Sequence, residues 1–281
     1  MVLTRILGAT AFAIWSITSL SAVAQAQDAE MKMIVEPDLR CFVGNSLPDH
    51  DTGTFPNKGN PNRISVQNIR LCMPSKPPNT HGDVAQYIRG SIGVAINGIQ
   101  FRPGTADYYD AKSPRGFSRN PASGWNLEGL GARDKLGMDH NNAHVDKSGL
   151  YHYHGVADAL WKSTRATLIG YAADGYDIHY NGPRMTSSYQ LKKGHRVFPP
   201  GDVHDGTYNE DWEYIAGSGR LDECNGGKNL YGRFVYYATD TYPFFPRCLW
   251  GVISDDFKRG PGGPGGRAGP GSHNGPPPPR R

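Results

Sequence analysis

The stretch Tyr151-His152-Tyr153-His154 constrains this chain more than any other, because aromatic and imidazole side chains alternate in it without a break. A period of two belongs to an extended strand. Successive side chains of a strand leave on opposite faces, so His152 and His154 share one face while Tyr151 and Tyr153 share the other and read as core. Two imidazoles placed this way stand about 7 Å apart along the strand and can converge on one ion. Just upstream, Asp146-Lys147-Ser148-Gly149 reads as a hairpin turn that folds a strand around His144 back beside the first. Three histidines then meet. Three neutral imidazoles with an open fourth position form a workable shell for a divalent transition metal, with zinc and copper the leading ions. A His-x-His pair can also be hydrogen-bonded within a protein and bind nothing. Four of the ten histidines, however, lie between Asp139 and Gly155, in a setting rich in asparagine and glycine, and that concentration favours a site.

The same stretch offers His140 as a further ligand candidate. Among the carboxylates the leading one is Asp174, which the sequence places in a tight turn between two strands. It could complete the metal shell, hold a ligand histidine, or act as general base; an aspartate before glycine also serves a turn by itself. Asp222 and Glu223 are adjacent, so in a strand they face opposite ways and only one can readily enter a common site. His50, His81, His195 and His204 lie in loop-like sequence and read as solvent-facing.

Glycine and proline together supply 58 residues, which breaks the chain into many short segments. Met33–Val43 and Arg63–Met73 are strand-like. Tyr87 to Phe101 alternates around Asn97-Gly98, the strongest hairpin signal present. Tyr108–Arg133 reads as a long ordered loop, Asp158–Thr167 as a short helix, Leu168–Tyr180 as strand, turn, strand, and 181–212 as loop. The expected fold is mainly β: a sandwich or barrel-like mixed sheet with one or two short helices and long glycine-rich loops.

Residues 1–26 carry one charge, Arg5, then an apolar run and the small-residue end Ala24-Gln25-Ala26, and read as a secretory signal peptide cleaved after Ala26 or, failing that, Ala24. No later segment is apolar enough to span a bilayer, so the expected location is secreted or periplasmic. Cys41, Cys72, Cys224 and Cys248 suit that compartment. Three pairings are open; Cys41 with Cys72 and Cys224 with Cys248 are favoured because each closes a local loop between strand-like segments. Residues 27–80 then form a disulfide-stapled β extension or subdomain and residues 81–257 the main domain. Residues 258–281 form a Gly/Pro/Arg tail expected to be disordered. Six of the 30 cationic residues (Arg5, Lys258, Arg259, Arg267, Arg280 and Arg281) lie outside 27–257, leaving 24 against 26 acidic ones. That balance argues against nucleic acid as a partner.

The words around the histidines resemble the signature of the YHYH-domain family of secreted or cell-surface proteins. Asn142-Ala143-His144, Tyr171-Ala172-Ala173-Asp174-Gly175, Leu221-Asp222-Glu223-Cys224-Asn225-Gly226 and Pro246-Arg247-Cys248 follow in the family's order, over roughly residues 90 to 251. The resemblance implies a metal site at the motif and no defined activity. His140 and His179 stand where the family usually has other residues. Two functions remain: a metal-dependent hydrolase or oxidoreductase, or a non-catalytic cell-envelope protein that binds a polysaccharide or another protein. No phosphate loop or nucleophile elbow is visible.

Overall fold

The computed structural model describes residues 28–258, apart from 79, 80, 89 and 165. The signal-peptide reading lies outside the described residues, as does the tail reading apart from its first residue, Lys258, which ends a helix.

The architecture is built on a mixed eight-stranded sheet. Its order across is Gly226–Lys228, Phe234–Ala238, Asp177–Tyr180, Leu168–Ala172, Gly93–Ala95, Gln100–Phe101, Tyr151–Tyr153 and Ala143–Val145. Two junctions are parallel, Asp177–Tyr180 with Phe234–Ala238 and Gln100–Phe101 with Tyr151–Tyr153; the others are antiparallel. The mainly β fold with a large mixed sheet is as expected, and the sheet is open rather than closed into a barrel. The Asn97-Gly98 turn forms as the sequence predicts. Gly98 takes a left-handed φ of 86°, and the Gly98 amide donates to the Ala95 carbonyl at 2.9 Å.

A three-stranded antiparallel sheet lies beside the large one. The segment expected as one strand from Met33 to Val43 is two, Met31–Val35 and Leu39–Gly44, because Pro37 cannot donate to a ladder and the chain reverses there. The third strand is Ile69–Pro74; Cys41 faces Cys72 across the ladder and the two form a disulfide. Cys224 and Cys248 form the second, so both favoured pairings are present. Phe42 and Met73 from this small sheet are wholly buried in the same apolar core as Val94, Phe101, Ile169 and Ile178 of the large one. The core thus runs continuously beneath both sheets.

The remaining elements are short. Among the described residues there are three α-helices, Arg133–Leu136, Asp158–Thr164 and Asp255–Lys258, of which the second matches the expected helix and buries Leu160. The long loop from 108 to 133 carries a two-residue hairpin, Tyr108–Tyr109 against Phe117–Ser118. The expected loop 181–212 contains a strand, Tyr189–Leu191, paired with Trp212–Tyr214.

A histidine triad as candidate metal centre

The site begins with a turn. Asp146 Oδ1 accepts the Ser148 and Leu150 amides at 2.8 and 3.2 Å, and Gly149 takes a φ of 84° that an L side chain rarely adopts. This fixes the register of the hairpin so that His144 stands directly opposite His152. Residues paired across a strand share a face, and His154, two residues on, shares it too. The three rings form a triangle with centroids 4.7, 4.7 and 5.0 Å apart.

The reverse face of the strand is anchored. Tyr151 and Tyr153 are fully buried. The Tyr151 hydroxyl donates to Asp139 Oδ2 at 2.7 Å, and the same carboxylate accepts the Gly53, Asn141 and Ala143 amides. His50 Nδ1 meets the Asp51 carbonyl at 2.8 Å, which places its proton there and leaves Nε2 to accept from the Tyr153 hydroxyl at 2.6 Å. Burial pushes both phenols well above their usual range, and Asp139 adds to the effect at Tyr151, so neither hydroxyl ionises.

On the front face the hydrogen-bond network assigns the tautomers. His144 Nδ1 lies 3.1 Å from the Leu136 carbonyl and His152 Nδ1 3.0 Å from the Leu150 carbonyl. A carbonyl only accepts, so both Nδ1 atoms carry the proton and both Nε2 atoms present a bare lone pair. His154 Nε2 lies 3.2 Å from His144 Nε2, while its Nδ1 is buried without a well-formed hydrogen bond, the Pro103 backbone interacting only weakly with the ring. Wherever a neutral His154 carries its proton, one buried polar atom is left unsatisfied or two lone pairs oppose each other.

Burial holds the His152 and His154 pKa values well below the ordinary imidazole range, and that of His144 below it. At His152 and His154 neighbouring charge acts in the same direction. At His152 the next contribution is Arg102, and at His154 it is His144 followed by Arg247. Both arginines are themselves paired, Arg102 with Asp146 and Arg247 with Glu128, each at 2.7 Å. Three imidazoles are therefore neutral near pH 7, the protonation state a cation requires.

The donor set fits such an ion. Ligand atoms of His144, His152 and His154 lie within 4.8 Å of one another. A tetrahedral zinc with Zn–N of about 2.0–2.1 Å spaces its nitrogens about 3.3–3.4 Å apart, close to the 3.2 Å between His144 and His154. Among the described residues no carboxylate or thiol joins the three.

The other candidates are placed elsewhere. Asp174 follows a strand three positions across the sheet from Tyr151–Tyr153, about 14 Å away at ordinary strand spacing. Its Oδ2 accepts the Tyr236 hydroxyl at 2.7 Å and the Gly251 amide at 2.9 Å. Asp222 holds the Cys224 and Gly226 amides and the Trp250 indole N–H. Glu223 lies beside the second disulfide, half-buried, and His140 is exposed. None of these four side chains is brought to the imidazoles. Residues that the sequence reading passed over shape the site instead: Leu136 through its carbonyl, Asp139 behind the strand, and Gly129, where any Cβ would strike the His154 ring. Only Asp139 left a signal, as the first residue of an Asp-His-Asn-Asn run with the turn chemistry of short polar side chains.

No curated protein and no solved structure matched this chain in comparison. The family model described as YHYH protein matches residues 70–251, well over half of the sequence and including every residue of the triad. The match reaches further toward the N-terminus than the motifs suggest, taking in most of the Ile69–Pro74 strand and Cys72. On the strength of that match the chain belongs to the YHYH family.

Proposed function

We propose that the protein is an exported metal-site protein in which His144, His152 and His154 bind a divalent transition ion, zinc or copper, for metal-dependent hydrolysis or oxidation. The observation that carries this reading is the convergence of three neutral imidazoles on one face of the sheet edge, with the Nε2 atoms of His144 and His152 left bare by their Nδ1 bonds to backbone carbonyls. What the ion supplies there is Lewis acidity in the case of zinc or electron transfer in the case of copper. The chain's own part is to orient the rings. The Leu136 and Leu150 carbonyls fix two tautomers and raise the basicity of the opposite nitrogens, the role that outer hydrogen bonds play for metal-bound histidine. Three protein ligands leave a coordination position for substrate or water, the arrangement of catalytic rather than structural zinc.

Export belongs to the same proposal and is supported by all four cysteines being paired. Residues 81–257 are read as the functional body and 27–80 as an extension stapled to it. The test is elemental analysis of untagged protein purified from the exported fraction, beside the His152→Ala/His154→Ala double variant. The wild type is expected to retain close to one ion per chain and the variant to lose it with both disulfides intact; equal metal content in the two rejects the assignment.

A further inference from the structure

Arg40 carries a charge that no ion pair among the described residues matches. The other buried or half-buried arginines with charged neighbours are each matched: Arg102 by Asp146, Arg196 by Asp205 and Asp211, and Arg247 by Glu128. Arg40 has no carboxylate within ion-pair distance among the described residues. Its Nε and Nη1 are buried and donate to nothing, and Nη2 reaches the Ser75 carbonyl only at 3.5 Å. The guanidinium is nonetheless held firmly. It stacks on the Tyr171 ring at 3.7 Å from the centroid, and its backbone adjoins the Cys41–Cys72 disulfide. A guanidinium fixed and desolvated without a counter-ion is costly, and an arrangement of this kind suits a partner that arrives from outside.

A small recess of about 30 Å³, partly open to solvent, adjoins it, lined among others by Arg40, Ser75, Tyr176, Asp177 and Arg233. Arg233 is exposed and its guanidinium has no ion pair among the described residues. Asp177 is the one carboxylate on this wall, with His179 Nε2 3.7 Å from its Oδ2. Two arginines against one carboxylate leave the recess positive. It lies across the sheet from the histidine triad, where the small N-terminal sheet meets the Asp174-Gly175 turn. Gly175 there sits so close to Pro74 that a Cβ would strike it.

We propose that this recess binds an oxyanion, the carboxylate or phosphate group of a small molecule, between the guanidinium groups of Arg40 and Arg233. The planar fork of arginine offers paired N–H donors to such groups. Because the recess is separate from the triad, the proposal stands or falls independently of the metal.

The experiment uses the full chain carrying His152→Ala/His154→Ala, so that no ion at the triad can capture the probe. Inorganic phosphate and acetate are titrated separately by calorimetry and by perturbation of arginine side-chain NMR signals. The background is compared with added Arg233→Gln, Arg40→Gln, and Arg119→Gln, an exposed arginine elsewhere on the surface. Saturable binding of at least one anion is expected, weakened tenfold or more by Arg233→Gln and by Arg40→Gln and unchanged by Arg119→Gln. Preference for phosphate or for acetate identifies the headgroup. No saturable binding at 10 mM of either probe, a concentration of about the magnitude at which weak ion contacts register, overturns the proposal, as does equal binding by the Arg233→Gln and Arg119→Gln proteins. Arg233 is exposed, so its variant decides the matter even where Arg40→Gln fails to fold.

Discussion

Replacing Gly129 with alanine tests the site without touching a ligand. The Cβ that alanine adds would lie 2.9 Å from His154 Cγ and 3.1 Å from its Cβ, and closer still to Nδ1, whereas ordinary contact begins at 3.4 Å. Cγ must therefore withdraw by about 0.5 Å, and the ring edge by more, in a buried region that is already close-packed. The ring is displaced relative to His144 and His152, whose tautomers and positions are fixed by carbonyls that the substitution leaves alone. Disturbing the surroundings of a ligand in this way typically costs about 10–100-fold in metal affinity, or roughly 1.4–2.7 kcal/mol. Overpacking adds a stability loss of about 1–3 kcal/mol. Competition against a chromophoric chelator reads the first quantity and urea denaturation of metal-free protein the second. Zinc or copper affinity within twofold of wild type, in a variant whose stability has fallen, would refute the reasoning, because the strain would then have been absorbed somewhere other than the His154 ring.

Two further outcomes follow from the far side of the sheet. Burial raises the Asp174 pKa from 3.8 to about 6. A carboxyl whose pKa is raised on folding contributes most below its unfolded value and loses that contribution as pH rises through the folded one, here over about two pH units or roughly 3 kcal/mol. Asp174→Asn should therefore gain stability relative to wild type by about that amount between pH 4 and pH 7 in urea titrations, and parallel stability curves would dismiss the effect. Opening the Cys224–Cys248 bridge with Cys224→Ala/Cys248→Ala releases a loop with a sequence separation of 24. The expected loss is about 3–4 kcal/mol by chain entropy, and a loss below about 1 kcal/mol would show that the bridge adds little to the folded state.

The triad was readable because everything that builds it is local. Alternation at Tyr151–His154 fixes the faces, Asp146–Gly149 fixes the turn, and the two together set His144 against His152. Both disulfides were readable for a related reason, since each closes a short stretch of chain, Cys41 and Cys72 facing one another across a ladder and Cys224 in a turn meeting Cys248. What stayed hidden depends on non-local pairing. Nothing in Leu168–Tyr180 reveals that three strand positions separate it from the histidines, so Asp174 looked available to them. Loop-like composition likewise concealed Asp211, which is fully buried and accepts from Arg196, His204 and the Gly206 and Tyr208 amides. His204, expected in solvent, is held there at 2.9 Å. Glycine at 129 was equally silent: its meaning lies in the ring that occupies the space its missing side chain leaves.

The hydroxyl bonds behind the Tyr151–Tyr153 strand bear on how a cation would come and go. Asp139, His50 and Asn97 hold the strand from its rear, where none of the three triad imidazoles takes part. Loading and unloading of the front face are thereby uncoupled from unravelling of the chain, unlike small zinc-dependent modules that collapse when stripped. An ion held by the triad would on this account be exchangeable again and again without loss of the surrounding architecture.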